Sequence, residues 1–267
     1  MDTFEPGSAQ RQQQPQAAAG RVVLVTGGSR GIGAATALLA AQRGHAVAVN
    51  YAANSLAADE VVRQIRALPG GRAISVQADV SDEAQVLAMF ARIDAKLGPL
   101  TALVNNAGVV DAASTVAKMS FARVKRMFDI NVLGSFLCAR EAVRRMSTRY
   151  GGQGGAIVNV SSAAARLGSP GQYVDYAAAK GAIDAFTLGL AKEVAAEGIR
   201  VNAVRPGLIE TDIHASGGLP DRVRDLQHLV PMQRGGSALE VANAIVWLLS
   251  DEASYTTMAL LDVSGGR

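Results

Sequence analysis

Apolar positions along this chain fall into two alternating rhythms. Short, mostly apolar runs stand at 22–25, 46–51, 73–78, 100–104, 156–160, 200–204 and 259–263. Runs this short, with little polar alternation, predict strands buried on both faces. Between them, apolar residues recur at helical spacing over 34–43, 56–68, 82–97, 121–150, 175–197, 221–230 and 239–249. Glycine and proline punctuate the changes of rhythm: Pro69-Gly70-Gly71, Gly98-Pro99 and the turn from Gly151 to Gly155. Ser81 reads as the N-cap of the helix at 82–97. Strand and helix alternate to the end. The expected fold is therefore α/β, a doubly wound, mostly parallel seven-stranded sheet with helices on both faces.

The first strand runs into Thr26-Gly27-Gly28-Ser29-Arg30-Gly31-Ile32-Gly33, which opens an alanine-rich helix. Glycine there allows a tight turn and lets a helix N-terminus approach a phosphate, with its free N–H groups facing the anion. A strand-to-helix turn without a ligand is the competing reading. More polar or glycine-rich stretches follow other strands: Asp79, Asn105-Asn106-Ala107-Gly108, Ser161-Ser162 and Pro206-Gly207. In an open parallel sheet, ligands bind beyond the carboxyl ends of the strands. A chain folded for stability alone has no need of such residues on one edge.

Composition narrows the function classes. The 267 residues suit one large domain, and 49% hydrophobic residues can fill its core. Residues 1–20, with Gln12-Gln13-Gln14 and few large apolar residues, read as a flexible tail or an expression remnant. Asp2 and Glu5 argue against a secretory leader. Net charge is +3 and the basic residues are scattered, so no nucleic-acid stripe is formed. No apolar run is long enough to span a bilayer. The single cysteine, Cys138, excludes an intrachain disulfide and fits a reducing, cytoplasmic location. One cysteine and three separated histidines make no zinc pattern, so no metal is expected.

Taken together, the glycine turn, Asn105-Asn106-Ala107-Gly108, Asn131, Ser162, Tyr176 with Lys180, and Pro206-Gly207 with Thr211 resemble the classical short-chain dehydrogenase/reductase family. The resemblance runs from about Arg21 onward; the region 166–232 is most similar to bacterial glucose-dehydrogenase-like or sugar oxidoreductases. It implies a Rossmann-type domain over 21–267 and a catalytic set of Asn131, Ser162, Tyr176 and Lys180. It further implies cofactor contacts at Gly27, Ser29, Arg30, Gly31, Ile32, Asn50, Tyr51, Asp79, Val80, Asn105, Ala107, Gly108, Tyr176, Lys180, Pro206, Gly207, Ile209 and Thr211. Asp79 and Val80 resemble a pair that contacts adenine; an Asp closing the turn before the next helix is the equal alternative. Two departures stand out. Ser162 lies one residue further from Tyr176 than the family pattern has it, and Met258 stands where the family has glycine.

The residues themselves suggest the chemistry. Tyr176 and Lys180, four apart, share a helix face. The ammonium is expected to lower the phenol's pKa from roughly 10, so that the tyrosine exchanges a proton with a carbonyl or alcohol oxygen. Ser162, at a strand end, can hydrogen-bond that oxygen; Ser161 is the less favoured of the pair. By resemblance, Asn131 bends its helix and holds water in a relay toward Lys180. No Gly-x-Ser-x-Gly surrounds Ser162, which argues against a hydrolase triad.

The second strand ends Val49-Asn50-Tyr51-Ala52, without the acidic residue that would hold a ribose 2′-hydroxyl. Arg30 suits a 2′-phosphate, so NADP(H) is expected over NAD(H). The expected activity interconverts a carbonyl and a secondary alcohol on a small-molecule substrate. A silent NADP(H)-binding sensor or scaffold is the alternative, and an epimerase or dehydratase with tightly held NAD a third. Small and apolar residues on the helices near 132–145 and 175–194 predict a homo-oligomer, a tetramer by resemblance. The segment 209–233 is expected to form a movable lid, with Arg166, Tyr173 and His214 as candidate substrate contacts.

Overall fold

The structure, a computed structural model, describes residues 20–211, 218–219 and 221–267. The expected tail, His214 and part of the expected lid lie outside them. The strands are β1 (Val22–Val25), β2 (Ala46–Tyr51), β3 (Ala73–Gln77), β4 (Ala102–Asn105), β5 (Gly155–Val160), β6 (Ile199–Pro206), two short strands β7 (Ile209–Glu210) and β8 (Gly236–Ser237), and β9 (Leu260–Val263). Seven of them form one parallel sheet in the order β3-β2-β1-β4-β5-β6-β9; β7 and β8 pair separately. The strand order reverses between β1 and β4, where Val25 faces Val49 on one side and Val104 on the other. A crevice opens above such a reversal.

The helices are α1 (Gly31–Gln42), α2 (Ser55–Arg66), α3 (Glu83–Leu97), α4 (Phe121–Phe128), α5 (Gly134–Met146), α6 (Ala164–Leu167), α7 (Val174–Val194), α8 (Arg222–Leu226) and α9 (Ala238–Leu249). Successive strand residues point to opposite faces. Val23 and Val25 therefore join Ala37, Ala40, Ile65 and Ile245 of α1, α2 and α9. Val22 and Leu24 join Phe90, Ile93, Cys138 and Val194 of α3, α5 and α7. Fully buried side chains such as Phe90 each contribute about 1.5–3 kcal/mol.

Several boundaries move from their expected places. α1 begins at Gly31, three residues earlier than its apolar pattern, because glycine is tolerated in the first turn. Asp82, not Ser81, caps α3, accepting from the Gln85 amide at 3.1 Å. The helix expected over 121–150 is split by a π-helical turn at Asp129–Leu133 and followed by a 3-10 turn at Thr148–Tyr150.

Met258 adopts φ +65°, the left-handed conformation that favours glycine, while its amide donates to the Val201 carbonyl at 2.7 Å. This explains why the family pattern has glycine there. The left-handed backbone costs an L-residue roughly 1–2 kcal/mol, and the side chain is 40% exposed, so little burial would be lost on removing it. Met258→Gly is expected to stabilise the fold by about 0.5–1 kcal/mol after the extra chain entropy of glycine is subtracted. Urea unfolding checks the sign; a destabilised variant would show that the side chain, not the backbone, dominates.

Candidate active site

The glycine turn is braced from three strands. The Thr26 hydroxyl accepts the Asn106 and Ala107 amides at 2.9 and 3.0 Å. The Asn106 carboxamide donates to the Thr26 and Gly27 carbonyls at 2.9 and 3.0 Å. Asn50 accepts the Gly27 amide at 3.1 Å and donates to the Ala78 carbonyl at 3.0 Å. These bonds engage the Asn50 carboxamide within the protein. Asn50 is 1% exposed, and its side chain shapes the turn. The Asn105 amide donates to the Asn159 carboxamide oxygen at 2.9 Å, and Asn159 donates to Thr187 at 2.9 Å. That buried polar chain ties β4 to β5 and α7.

Gly27 has φ +60°, and a side-chain carbon there would lie 2.9 Å from the Ala107 Cα. The N-cap of α1 is Arg30, with no capping side chain and no acidic residue in the first turn. The first N–H groups of α1 are thus left for an anion. Arg30 is exposed, and its guanidinium makes no hydrogen bond or ion pair with another described residue. Ser29 and Gly31 continue the turn, and Thr211 packs over Gly31. No acidic residue occupies the first turn of α2, beside Tyr51 at the end of β2. Further along the same edge, the Asp79 carboxylate accepts from the Ser81 amide and hydroxyl at 2.9 and 2.7 Å. Val80 is buried against Gly134.

A cavity of about 440 Å³ opens beside α1, lined by Ile32, Gly108, Asn131, Ser162, Tyr176, Lys180, Pro206, Gly207, Ile209 and Thr211, among others. The four expected catalytic residues therefore meet in one place. Lys180 is buried and donates to the Val160 carbonyl at 2.7 Å, with its ammonium 5.6 Å from the centre of the Tyr176 ring. Burial pushes the Lys180 pKa down to about 8, opposed by the Asp184 charge. Burial also pushes the Tyr176 phenol above its ordinary value, opposed by a hydrogen bond with Ser162. The direction is opposite to that expected from the Tyr–Lys spacing. The ammonium is directed to a carbonyl and weakened by burial, so desolvation of the phenol prevails.

Ser162 also accepts the Ala164 amide at 3.1 Å, whereas the Ser161 hydroxyl donates to the Lys180 carbonyl at 3.1 Å and is buried away. Asn131 sits in the π-helical turn, where such irregularities often mark functional sites. Its oxygen accepts the Val109 amide at 3.2 Å and its amide donates to the Val109 and Met127 carbonyls, each at 3.0 Å. A side-chain carbon at residue 108 would lie 2.6 Å from the Asn131 oxygen and 3.6 Å from the Lys180 nitrogen. Gly108 thus keeps open the space that both groups face.

The model of the family described as enoyl-(acyl carrier protein) reductase matches residues 27–267. The chain belongs to the short-chain dehydrogenase/reductase family. As a member it is an NAD(P)-dependent oxidoreductase acting on CH–OH or C=O groups. It is 61% identical to the uncharacterized oxidoreductase YgfF of Escherichia coli (strain K12), over 92% of this chain and 99% of that one. It is 42% identical to the cis-4-hydroxycyclohexanecarboxylate dehydrogenase of Sinomonas cyclohexanicum, over 94% of this chain and 98% of that one. A short-chain type dehydrogenase/reductase from Mycobacterium marinum superposes with a TM-score of 0.86 at 33% identity, covering 92% of this chain and 95% of that one.

Several residues of this short-chain dehydrogenase/reductase site carry no role in the sequence reading. Arg123 and Asp175 form a buried, two-pronged ion pair, at 2.8 and 3.2 Å, that holds the start of α7 against α4. Asp175 also accepts the Tyr176 amide at 3.0 Å. Their pairing spans 52 positions and leaves no local pattern. Of the candidate substrate contacts, Tyr173 lines the cavity, but Arg166 does not. It turns to Asp262 and the Arg267 carbonyl, at 3.5 and 3.0 Å. Arg222 lines the cavity instead. Among the described residues no helix is long and apolar enough to cross a membrane, and no cluster of His, Cys, Asp or Glu is placed to hold a metal.

Proposed function

We propose that the protein is an NADP(H)-preferring oxidoreductase interconverting a carbonyl and a secondary alcohol, with Tyr176 as the proton-exchanging group. The observation that carries this reading is the convergence of Ser162, Tyr176 and Lys180 in one cavity beside the uncapped start of α1. When bound, the nicotinamide supplies or accepts the hydride. The glycine turn, the α1 N–H groups, Gly108 and Thr211 would hold it. Ser162 and Tyr176 orient the reacting oxygen, and the phenol gives it or takes from it a proton. Asn131 and Lys180 flank Gly108 and connect that proton to the interior. The relative named for a hydroxycyclohexanecarboxylate makes a cyclic, carboxylate-bearing alcohol or ketone a reasonable first substrate to assay.

Cofactor preference rests on Arg30 and on the missing carboxylate at the end of β2. Arg30→Ala is expected to weaken NADPH binding by about 1.5–3 kcal/mol, the range for hydrogen bonds to charged groups. NADH binding should change far less. Fluorescence titration with both nucleotides checks this; equal losses would remove Arg30 from selectivity. The proposed assembly is a homotetramer, supported by the exposed Phe121, Leu133 and Phe136 near the starts of α4 and α5. A monomer mass in light scattering at micromolar concentration would overturn it.

A further inference from the structure

The cavity that holds Ser162 and Tyr176 is lined by three basic residues, Lys180, Arg222 and Arg267, and by no Asp or Glu among the described residues. Lys180 has its role beside Tyr176. Arg222 has none inside the protein. Its guanidinium lies 5.1 Å from the centre of the Tyr173 ring and makes no ion pair with another described residue. Neighbouring acids are taken: Asp221 and Asp225 both pair with Arg224, at 3.2 and 3.5 Å. The Arg267 backbone is held by Arg166, at 3.0 Å. Arg222 is half-buried, and both burial and the Arg267 charge hold its pKa below the usual arginine value. A partly desolvated cation beside a second cation is unfavourable unless an anion joins them.

The place of Arg222 says which anion. Tyr173 is the N-cap of α7, three residues before Tyr176, so Arg222 stands on the Tyr176 side of the cavity and not on the glycine turn. Val110, Leu167, Pro170 and Leu208 give the same lining an apolar component. Resting on the oxidoreductase reading above, we infer that the substrate is a small carbonyl or alcohol compound with an apolar body and a carboxylate, and that Arg222, set by the Tyr173 ring, is the anchor for that carboxylate. Arginine presents a planar fork that matches a carboxylate in two hydrogen bonds. Anchored at one end and held by Ser162 and Tyr176 at the other, the substrate is fixed at two points, which orients its reacting carbon.

The test compares 4-oxocyclohexanecarboxylate with its methyl ester, using the purified full chain and both NADPH and NADH. Wild-type kcat/KM should favour the acid about 10–100-fold, mostly through KM, as expected for a charge-assisted pair. In Arg222→Gln the acid-over-ester ratio should collapse toward one, and Arg222→Lys should restore part of it. A wild type indifferent to the charge, or a variant that loses acid and ester equally, overturns the anchor while leaving the oxidoreductase reading intact. Calorimetric titration of the carboxylate into wild type and Arg222→Gln gives a readout independent of turnover. Binding that disappears in the variant, in a protein that reduces neither compound, upholds the anchor and counts against these two compounds as substrates. Weakened NADPH binding in Arg222→Gln would assign the cation to cofactor phosphate and overturn the inference. Thermal unfolding confirms that the variants fold.

Discussion

Tyr176→Phe should fold, bind NADPH and turn over at least about 10²–10⁴-fold more slowly than wild type, the range that positioned acid–base groups contribute. The ring stays in place, packed among Met127, Val132 and Ala179. Only the hydroxyl is lost. Its partner Ser162 keeps the Ala164 amide, so the structural cost should be on the order of 1 kcal/mol. The pH profile offers a second check. Because burial holds the phenol above its ordinary pKa, Tyr176 is protonated at neutral pH. It is thus ready to donate to a carbonyl oxygen, and reduction should be nearly flat through neutrality. Oxidation of an alcohol needs the phenolate, so its rate should climb as pH rises toward the phenol's pKa. Near-wild-type activity in the Phe variant would remove Tyr176 from proton exchange.

Gly33→Ala should weaken NADPH binding at least about tenfold and destabilise the fold. A side-chain carbon at residue 33 would lie 2.6 Å from the Asn106 amide nitrogen and closer still to the Gly27 carbonyl oxygen. Asn106 cannot simply swing aside, because the same nitrogen holds the Thr26 and Gly27 carbonyls. Alanine gains about 1 kcal/mol in helix propensity, but overpacking costs about 1–3 kcal/mol, so the clash prevails. The strain is relieved by moving the start of α1 off the turn, which misaligns its N–H groups. A calorimetric titration with NADPH and a urea melt check both parts. Unchanged affinity would show that the approach of α1 to the turn does not govern binding.

The alternation of strands and helices and the edge that bears the site were legible in the sequence; the order of the strands across the sheet was not. Buried parallel strands need unbroken apolar runs, and the run at 22–25 needs glycines to turn directly into a helix. Ser162, Tyr176 and Lys180 were legible because two of them share one helix turn and the third ends the neighbouring strand. The buried bonds of the Asn50 and Asn105 side chains were not legible, for a physical reason. A polar residue at a strand end looks the same in sequence whether it meets a ligand or satisfies buried backbone groups. The tertiary packing decided that Asn50 serves Gly27 and that Asn105 serves Asn159.

The linear pattern by itself determined what local geometry enforces: the periods of strand and helix, the glycine turn, and the shared face of Tyr176 and Lys180. Tertiary structure alone decided what depends on burial and on distant partners. It set the direction of the Tyr176 pKa, which follows from desolvation of the phenol by the residues packed around it. It paired Arg123 with Asp175 across 52 positions. It also brought Arg222 against Tyr173, because a five-residue helix has too little periodicity to tell in advance which face meets the cavity.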